Sequence, residues 1–181
     1  MTLNTNSRIC TIGEIIDLIA PEAKGPARSG IESRLARWTK DGIFVVAKTQ
    51  IGTGRARQYT TAEAVLVAIG HQLQMQGLRN DAIENITVAL RSDIEHKPGA
   101  NAVDLAVDFI RGGEPKSEPS RIAQDGDCLA AFHRVGSTDI WHPVRPKRVG
   151  TAISAADIAQ HESAITLNLR LVLKPLRPLL T

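Results

Sequence analysis

Eight cationic side chains fall between residues 24 and 57: Lys24, Arg28, Arg34, Arg37, Lys40, Lys48, Arg55 and Arg57. Only Glu32 and Asp41 oppose them, so this stretch carries +6. The whole chain is +3, and all other residues therefore sum to −3. A positive field confined to one short stretch is the electrostatic footprint that polyphosphate binding requires. Arginine suits such a footprint because it bonds both phosphates and the guanine edge.

Other chemistries find less support. Cys128, His133, His142 and His161 are the metal-capable set, but their spacings of five, nine and nineteen match no usual zinc arrangement. Neither a metal nor a cofactor is expected. Asp125 and Asp127 flank Gly126 as in a turn before a strand. Gly52-Thr53-Gly54 lacks the G-x-x-x-x-G-K-S/T frame of a phosphate loop. No Ser/His/Asp combination stands out, so no catalytic residue is assigned and no enzymatic activity is expected.

The elements that must position the cations follow from the change of period along residues 27–60. Ile31, Leu35 and Trp38 recur at helical spacing over 29–40, with Arg34, Arg37 and Lys40 between them. Gly42 can end that helix in a positive-φ conformation. Residues 43–48 are β-branched and aromatic, Gly52 and Gly54 mark a tight turn, and 55–59 lead toward another helix. A basic helix followed by a basic hairpin is the layout of a winged helix-turn-helix, with the helix in the major groove and the wing on the backbone. Arg28, Ser29, Arg34 and Arg37 are predicted to face the groove, with Lys40 extending the charge. Arg55, Arg57 and Tyr59 are predicted to set the wing on phosphates.

The order of motifs resembles the DNA-binding domain of MerR-type transcriptional regulators. Thr11-Ile12-Gly13-Glu14 stands where that family opens its first helix. The segment from Leu35 to Ile43 matches the L-R-Y-Y-E-R-x-G-L end of its recognition helix, although Ala36 replaces the usual arginine and Trp38 is the only aromatic kept. Arg57-Gln58-Tyr59-Thr60 matches the close of the wing, and Leu66, Ile69, Leu73, Gly77 and Leu78 match the helix that follows. The resemblance covers roughly residues 10–95. It implies a homodimeric regulator on promoter DNA, with RNA polymerase or a small-molecule effector as further partners. No cysteine lies between Thr11 and Asp127, so a thiol-bound metal effector of the kind many such regulators sense is not expected.

Thr11 and Glu14 have capping-box spacing ahead of Ile12, Ile15, Ile16 and Ile19. Pro21 and Gly25-Pro26 are expected to end that helix and make the turn to the next. Thr60 or Thr61 should cap a helix to about Gln76, with Val65, Leu66, Ile69 and Leu73 inward. Another helix should run from Asn80 or Asp81 to Pro98-Gly99 on Ile83, Ile86, Leu90 and Ile94. A further one is expected over 101–111 on Val103, Val107 and Ile110. Residues 112–120 (GGEPKSEPS) read as a linker. Beyond it, 127–135 and 140–144 look like strands of a hairpin, 154–162 like a short helix, and the alternation over 165–173 like a strand.

The expected fold is α+β, in three parts. Residues 1–97 form a MerR-like winged helix-turn-helix domain with its following helices, 98–120 a helix and linker, and 121–181 a small β-rich module for dimerisation or effector binding. The apolar stripes after Asp81 and the leucine face of 165–173 are predicted to be covered by a second copy. No run of about 18 apolar residues occurs and the first ten residues lack a signal-peptide core, so a membrane role is not expected. Cys10 and Cys128, without C-x-x-C spacing, suit free thiols in the cytoplasm, where a nucleoid-associated regulator works. Two other readings stay open: a phage- or plasmid-type architectural DNA-binding factor, and a winged-helix interaction module without DNA binding.

Overall fold

A computed structural model describes residues 9–47, 57–99, 101–112, 129–135, 140–144 and 163–180. The turn at Gly52 and Gly54, the linker after Gly112, the loop 136–139, Cys128 and the expected helix 154–162 lie outside the described residues. Helices and small antiparallel sheets share those residues, an α+β composition.

The chain enters through strand β1 (Ile9–Thr11) and turns into helix α1 (Ile12–Ile19). Thr11 and Glu14 make both halves of the capping box: the Glu14 amide donates to Thr11 Oγ1 at 3.3 Å and the Thr11 amide donates to Glu14 Oε2 at 2.7 Å. Helix α2 spans Gly25–Lys40, four residues longer at its start than expected. Proline has no N–H to lose in a first helical turn and its φ is already set, so Gly25-Pro26 opens this helix instead of breaking the chain. At the other end the Ile43 amide reaches the Trp38 carbonyl at 2.9 Å and Gly42 the Thr39 carbonyl at 3.2 Å. Gly42 takes φ +84°, the left-handed conformation this double closure requires.

Residues 43–47 were expected to be a strand and are not a regular one; a single bond, Ala47 amide to Gln58 carbonyl at 2.7 Å, ties them to β2 (Gln58–Thr60). The ladder partner of β2 is instead β1, in antiparallel register with Cys10 opposite Tyr59. Thr60 then caps α3 (Thr61–Met75), its hydroxyl accepting from Glu63 N at 3.2 Å. Helices α4 (Asn80–His96) and α5 (Ala102–Ile110) follow, separated at Pro98-Gly99. Asn101 joins them: its Oδ1 accepts from Asp104 N at 2.9 Å and its amide donates to the Lys97 carbonyl at 2.9 Å.

Every residue of α3 from Thr61 to His71 is buried. A helix apolar all round must be covered on all sides, and α1, α2 and α4 cover only part of it. The remaining cover comes from the far end of the sequence, which corrects two expectations. The strand over 165–173 stops early: β5 is Ser163–Asn168, and α6 (Leu169–Leu173), a 3-10 turn (Lys174–Leu176) and α7 (Arg177–Leu180) follow it. Asn168 Oδ1 accepts from the Leu171 amide at 3.1 Å and caps α6. The leucines alternated over 167–173, but Leu169, Leu173, Leu176 and Leu180 also form a helical stripe; those four are buried while Leu171 is exposed. The boundary at 121 is the second correction. Leu167, Leu169, Leu173, Leu176, Leu179 and Leu180 belong to the same core as Ile15, Trp38 and Ile83, with α6 against α3 and α5 and the 3-10 turn against α1. The covering of the α4 and α5 stripes by a second copy is corrected with it, since Ile83, Ile86, Leu90, Ile94, Val103 and Val107 are buried within one chain.

Strands β3 (Leu129–Val135) and β4 (Ile140–Val144) pair antiparallel as expected, and β5 adds to the other edge of β3. Strand β4 runs beside α4.

Gly70 allows the tightest approach in this core: a Cβ there would stand 2.8 Å from Phe44 Cζ and 3.4 Å from Ile83 Cγ2. Phe44 is fully buried, and its ring also packs edge-on against Trp38. Gly70→Ala is therefore expected to lower unfolding free energy by about 1–3 kcal/mol despite the better helix propensity of alanine. Urea denaturation measures it. Leu176→Ala is expected to cost about 2–5 kcal/mol if segment 163–180 completes the main core, and much less if that segment were an independent module.

Candidate nucleic-acid interface

Helix α2 has two unlike faces. Leu35 and Trp38 are buried and Ile31 is packed against the core, whereas Ser29, Gly30, Ser33, Arg37 and Lys40 are exposed at helical spacing. The inner face is held chiefly by Trp38, whose indole meets Phe44 edge-on with centroids 5.6 Å apart. Its Nε1–H donates to Asn80 Oδ1 at 3.0 Å, so the ring is fixed at both its apolar body and its polar edge. The outer face is small and uncharged in its first half and cationic in its second.

Arg57 joins that cationic end from another element. It is exposed and its Nη1 donates to the Ala36 carbonyl at 2.7 Å, which pins the residue before β2 to the C-terminal half of α2. Arg37, Lys40 and Arg57 thus share one surface, with Asp41 3.6 Å from Arg37 as its exposed counter-charge.

The remaining sequence candidates are placed differently. Arg28 is engaged internally: it pairs with Asp17 of α1, its Nε donates to Glu32 Oε1 at 3.1 Å, and its Nη2 reaches the Gly13 carbonyl at 3.4 Å. The Asp17 hydrogen bond first, and then Glu32, raise its pKa, so the guanidinium stays charged with carboxylates beside it. The expectation of a groove-facing Arg28 is corrected accordingly; the residue clamps α1 to α2. Arg34 lies over the Trp38 ring, 5.8 Å from its centroid, with a buried Nε that has no hydrogen-bond partner. Tyr59 is also corrected. It is 1% exposed, its hydroxyl is 2.8 Å from Thr39 Oγ1, and it belongs to the core. Burial pushes its pKa up, so the phenol stays neutral. Arg55 lies outside the described residues.

The group that sequence reasoning missed is Glu63 with Arg91. Glu63 sits three residues after the Thr60 cap, which reads as an ordinary solvent-facing first-turn acid. It is buried instead, and the Arg91 guanidinium meets both its oxygens. No local pattern reveals a pairing across 28 residues.

Among the described residues no group of three or more His, Cys, Asp or Glu side chains is placed to hold a metal ion. The register of β3 and β4 sets His133 opposite His142, while Cys128 and His161 lie outside the described residues. Cys10 is a buried thiol whose Sγ donates to the Tyr59 carbonyl at 3.5 Å, and among the described residues no helix is long and apolar enough to cross a membrane. In comparisons with known proteins, no family profile and no curated sequence matches the chain.

His71 of α3 supplies a pH signature for the α2–α3 contact. It is 8% exposed, its Nδ1 has no hydrogen-bond partner, and burial, then the nearby Arg34 charge, lowers its pKa below the ordinary 6.5. The unfolded chain takes up this proton first, so the stability it carries is complete above about pH 6.5 and is lost as pH falls toward the lowered folded value. Thermal unfolding at pH 7.5 and pH 5.5 should show a smaller acid loss for His71→Gln than for the unaltered chain. Equal losses would locate the acid sensitivity elsewhere.

Proposed function

We propose that this chain is a sequence-specific double-stranded-DNA-binding transcriptional regulator of the MerR-like winged helix-turn-helix type. The observation that carries this reading is the exposed face of α2, where Ser29, Gly30 and Ser33 leave room for a close approach and Arg37 and Lys40 continue into Arg57. A helix with small residues ahead of arginine and lysine can enter the major groove while its basic end meets phosphates. The two strands β1 and β2 with the segment 43–47 would form the root of the wing. The DNA-bound form is proposed as a homodimer, because one recognition helix covers a half-site only and specific affinity in a genome needs two. Its interface must use surfaces other than the buried stripes of α4 and α5.

One observation favours an architectural DNA-binding factor as the second reading: Lys40 and Arg57 are exposed cations that can meet phosphates of any sequence. The two readings separate on the ratio of specific to bulk-DNA affinity, large for a regulator and small for an architectural factor.

Binding measured from about 50 to about 200 mM salt should weaken by orders of magnitude if several phosphates are met per protomer. A flat salt response sinks the DNA reading. Arg37→Ala should cost about 1–3 kcal/mol at particular base pairs, and Arg57→Ala should weaken all sequences alike and flatten the salt slope. Arg28→Ala should leave DNA affinity nearly unchanged, because Asp17 and Glu32 already meet its charge.

A further inference from the structure

The segment 43–47 has almost no regular hydrogen-bonded partner, yet it is the root from which the chain departs toward residues 48–56. Its backbone groups are met by side chains of two helices. Arg91 of α4 donates through Nε to Glu63 Oε1 at 2.7 Å and through Nη2 to Glu63 Oε2 at 3.1 Å. The same Nη2 donates to the Ile43 carbonyl at 2.9 Å, and the Val45 amide donates to Glu63 Oε2 at 3.1 Å. The pair is well shielded, with side-chain exposures of 20% and 9%.

A shielded ion pair is weak evidence for stability, since desolvation offsets most of its Coulomb attraction. Its bonds to backbone point to another role. An apolar pair of equal volume would fill the space but leave the Ile43 carbonyl and the Val45 amide unmet. The Ala47 amide then bonds the Gln58 carbonyl, next to Arg57.

We propose that Glu63 and Arg91 are positioning residues for DNA binding: they fix segment 43–47 against β2 and so hold Arg57 on the basic face of α2. This rests on the DNA-binding reading and names the device that sets its wing. The fork of arginine is required, because one group must serve two carboxylate oxygens and a carbonyl at once. Lysine retains the charge but cannot span those acceptors.

The test uses the full chain, a duplex selected for binding, and Glu63→Gln and Arg91→Lys, each alone and each combined with Arg57→Ala. Thermal unfolding first establishes that the variants are folded. Each single change should weaken DNA binding about tenfold, and by less than about twofold further once Arg57 is absent, since coupled residues are not additive. In the free protein, the Ala47 amide should exchange with solvent faster in both variants while amides of α2 keep their protection. Equal losses with and without Arg57, or an unchanged Ala47 exchange rate, overturn the positioning role. An unaltered chain that binds no duplex overturns the DNA reading itself, whichever way the exchange data fall.

Discussion

The placement of Trp38 is the constraint on which the rest of this structure depends. Helix α2 is polar on most of its circumference, and only Leu35 and Trp38 of its sixteen residues are buried. Those two side chains must therefore fix its tilt and rotation, and Trp38 does most of that because it is held by two different kinds of contact. Phe44 meets the ring edge-on and Asn80 receives its N–H, so rotation of the helix would break either an aromatic contact or a hydrogen bond to a buried donor. Phe44 in turn needs the bare backbone of Gly70, which makes a glycine in the centre of α3 part of the same anchor.

The environment of α3 explains why so distant a part of the chain is drawn into this body. Buried on all sides from Thr61 to His71, it would expose apolar surface toward α5 without α6. The leucines of 169–180 close that side, and Arg111 fastens the closing segment by donating to the Leu180 carbonyl at 2.5 Å. The core is thus assembled from both ends of the sequence, and β3 and β4 fall within the excursion between α5 and β5. A chain built this way places its basic face on a scaffold completed only when residues beyond 163 have folded back.

The sequence features that were legible were local ones. Thr11 with Glu14, Thr60 ahead of α3, Gly42 and Gly77 all signal helix ends through groups a few residues apart, and each stands at its helix end. The period of three and four over 83–94 shows α4 for the same reason. What was not legible depends on groups far apart in sequence. Tyr59 carries a family-like wing signature, yet pairing of β1 with β2 turns it inward onto Thr39. Arg28 looks like a recognition residue until α1 brings Asp17 beside it. The leucines of 167–173 satisfy two periods at once, and only the continuation to Leu176 and Leu180, with the Asn168 cap, decides for a helix.

These placements also change what the local charge of +6 means. A formal sum treats each arginine as equally available, but Arg28 is met by two carboxylates and Arg34 is stowed against Trp38. Among the described cations of that stretch, Lys24, Arg37, Lys40 and Arg57 are the exposed ones. Three of these four converge at the end of α2, so the field is narrower and more directional than the composition suggests. A concentrated patch steers a phosphate backbone into one orientation, whereas the same charge spread along the helix would attract it without choosing a pose. Other arginines engage groups of their own chain: Arg28 ties α1 to α2, and Arg91 meets Glu63 and the Ile43 carbonyl. In this chain arginine therefore divides into residues engaged with their own chain, as Arg28 and Arg91 are, and residues such as Arg37 whose side chains stay exposed.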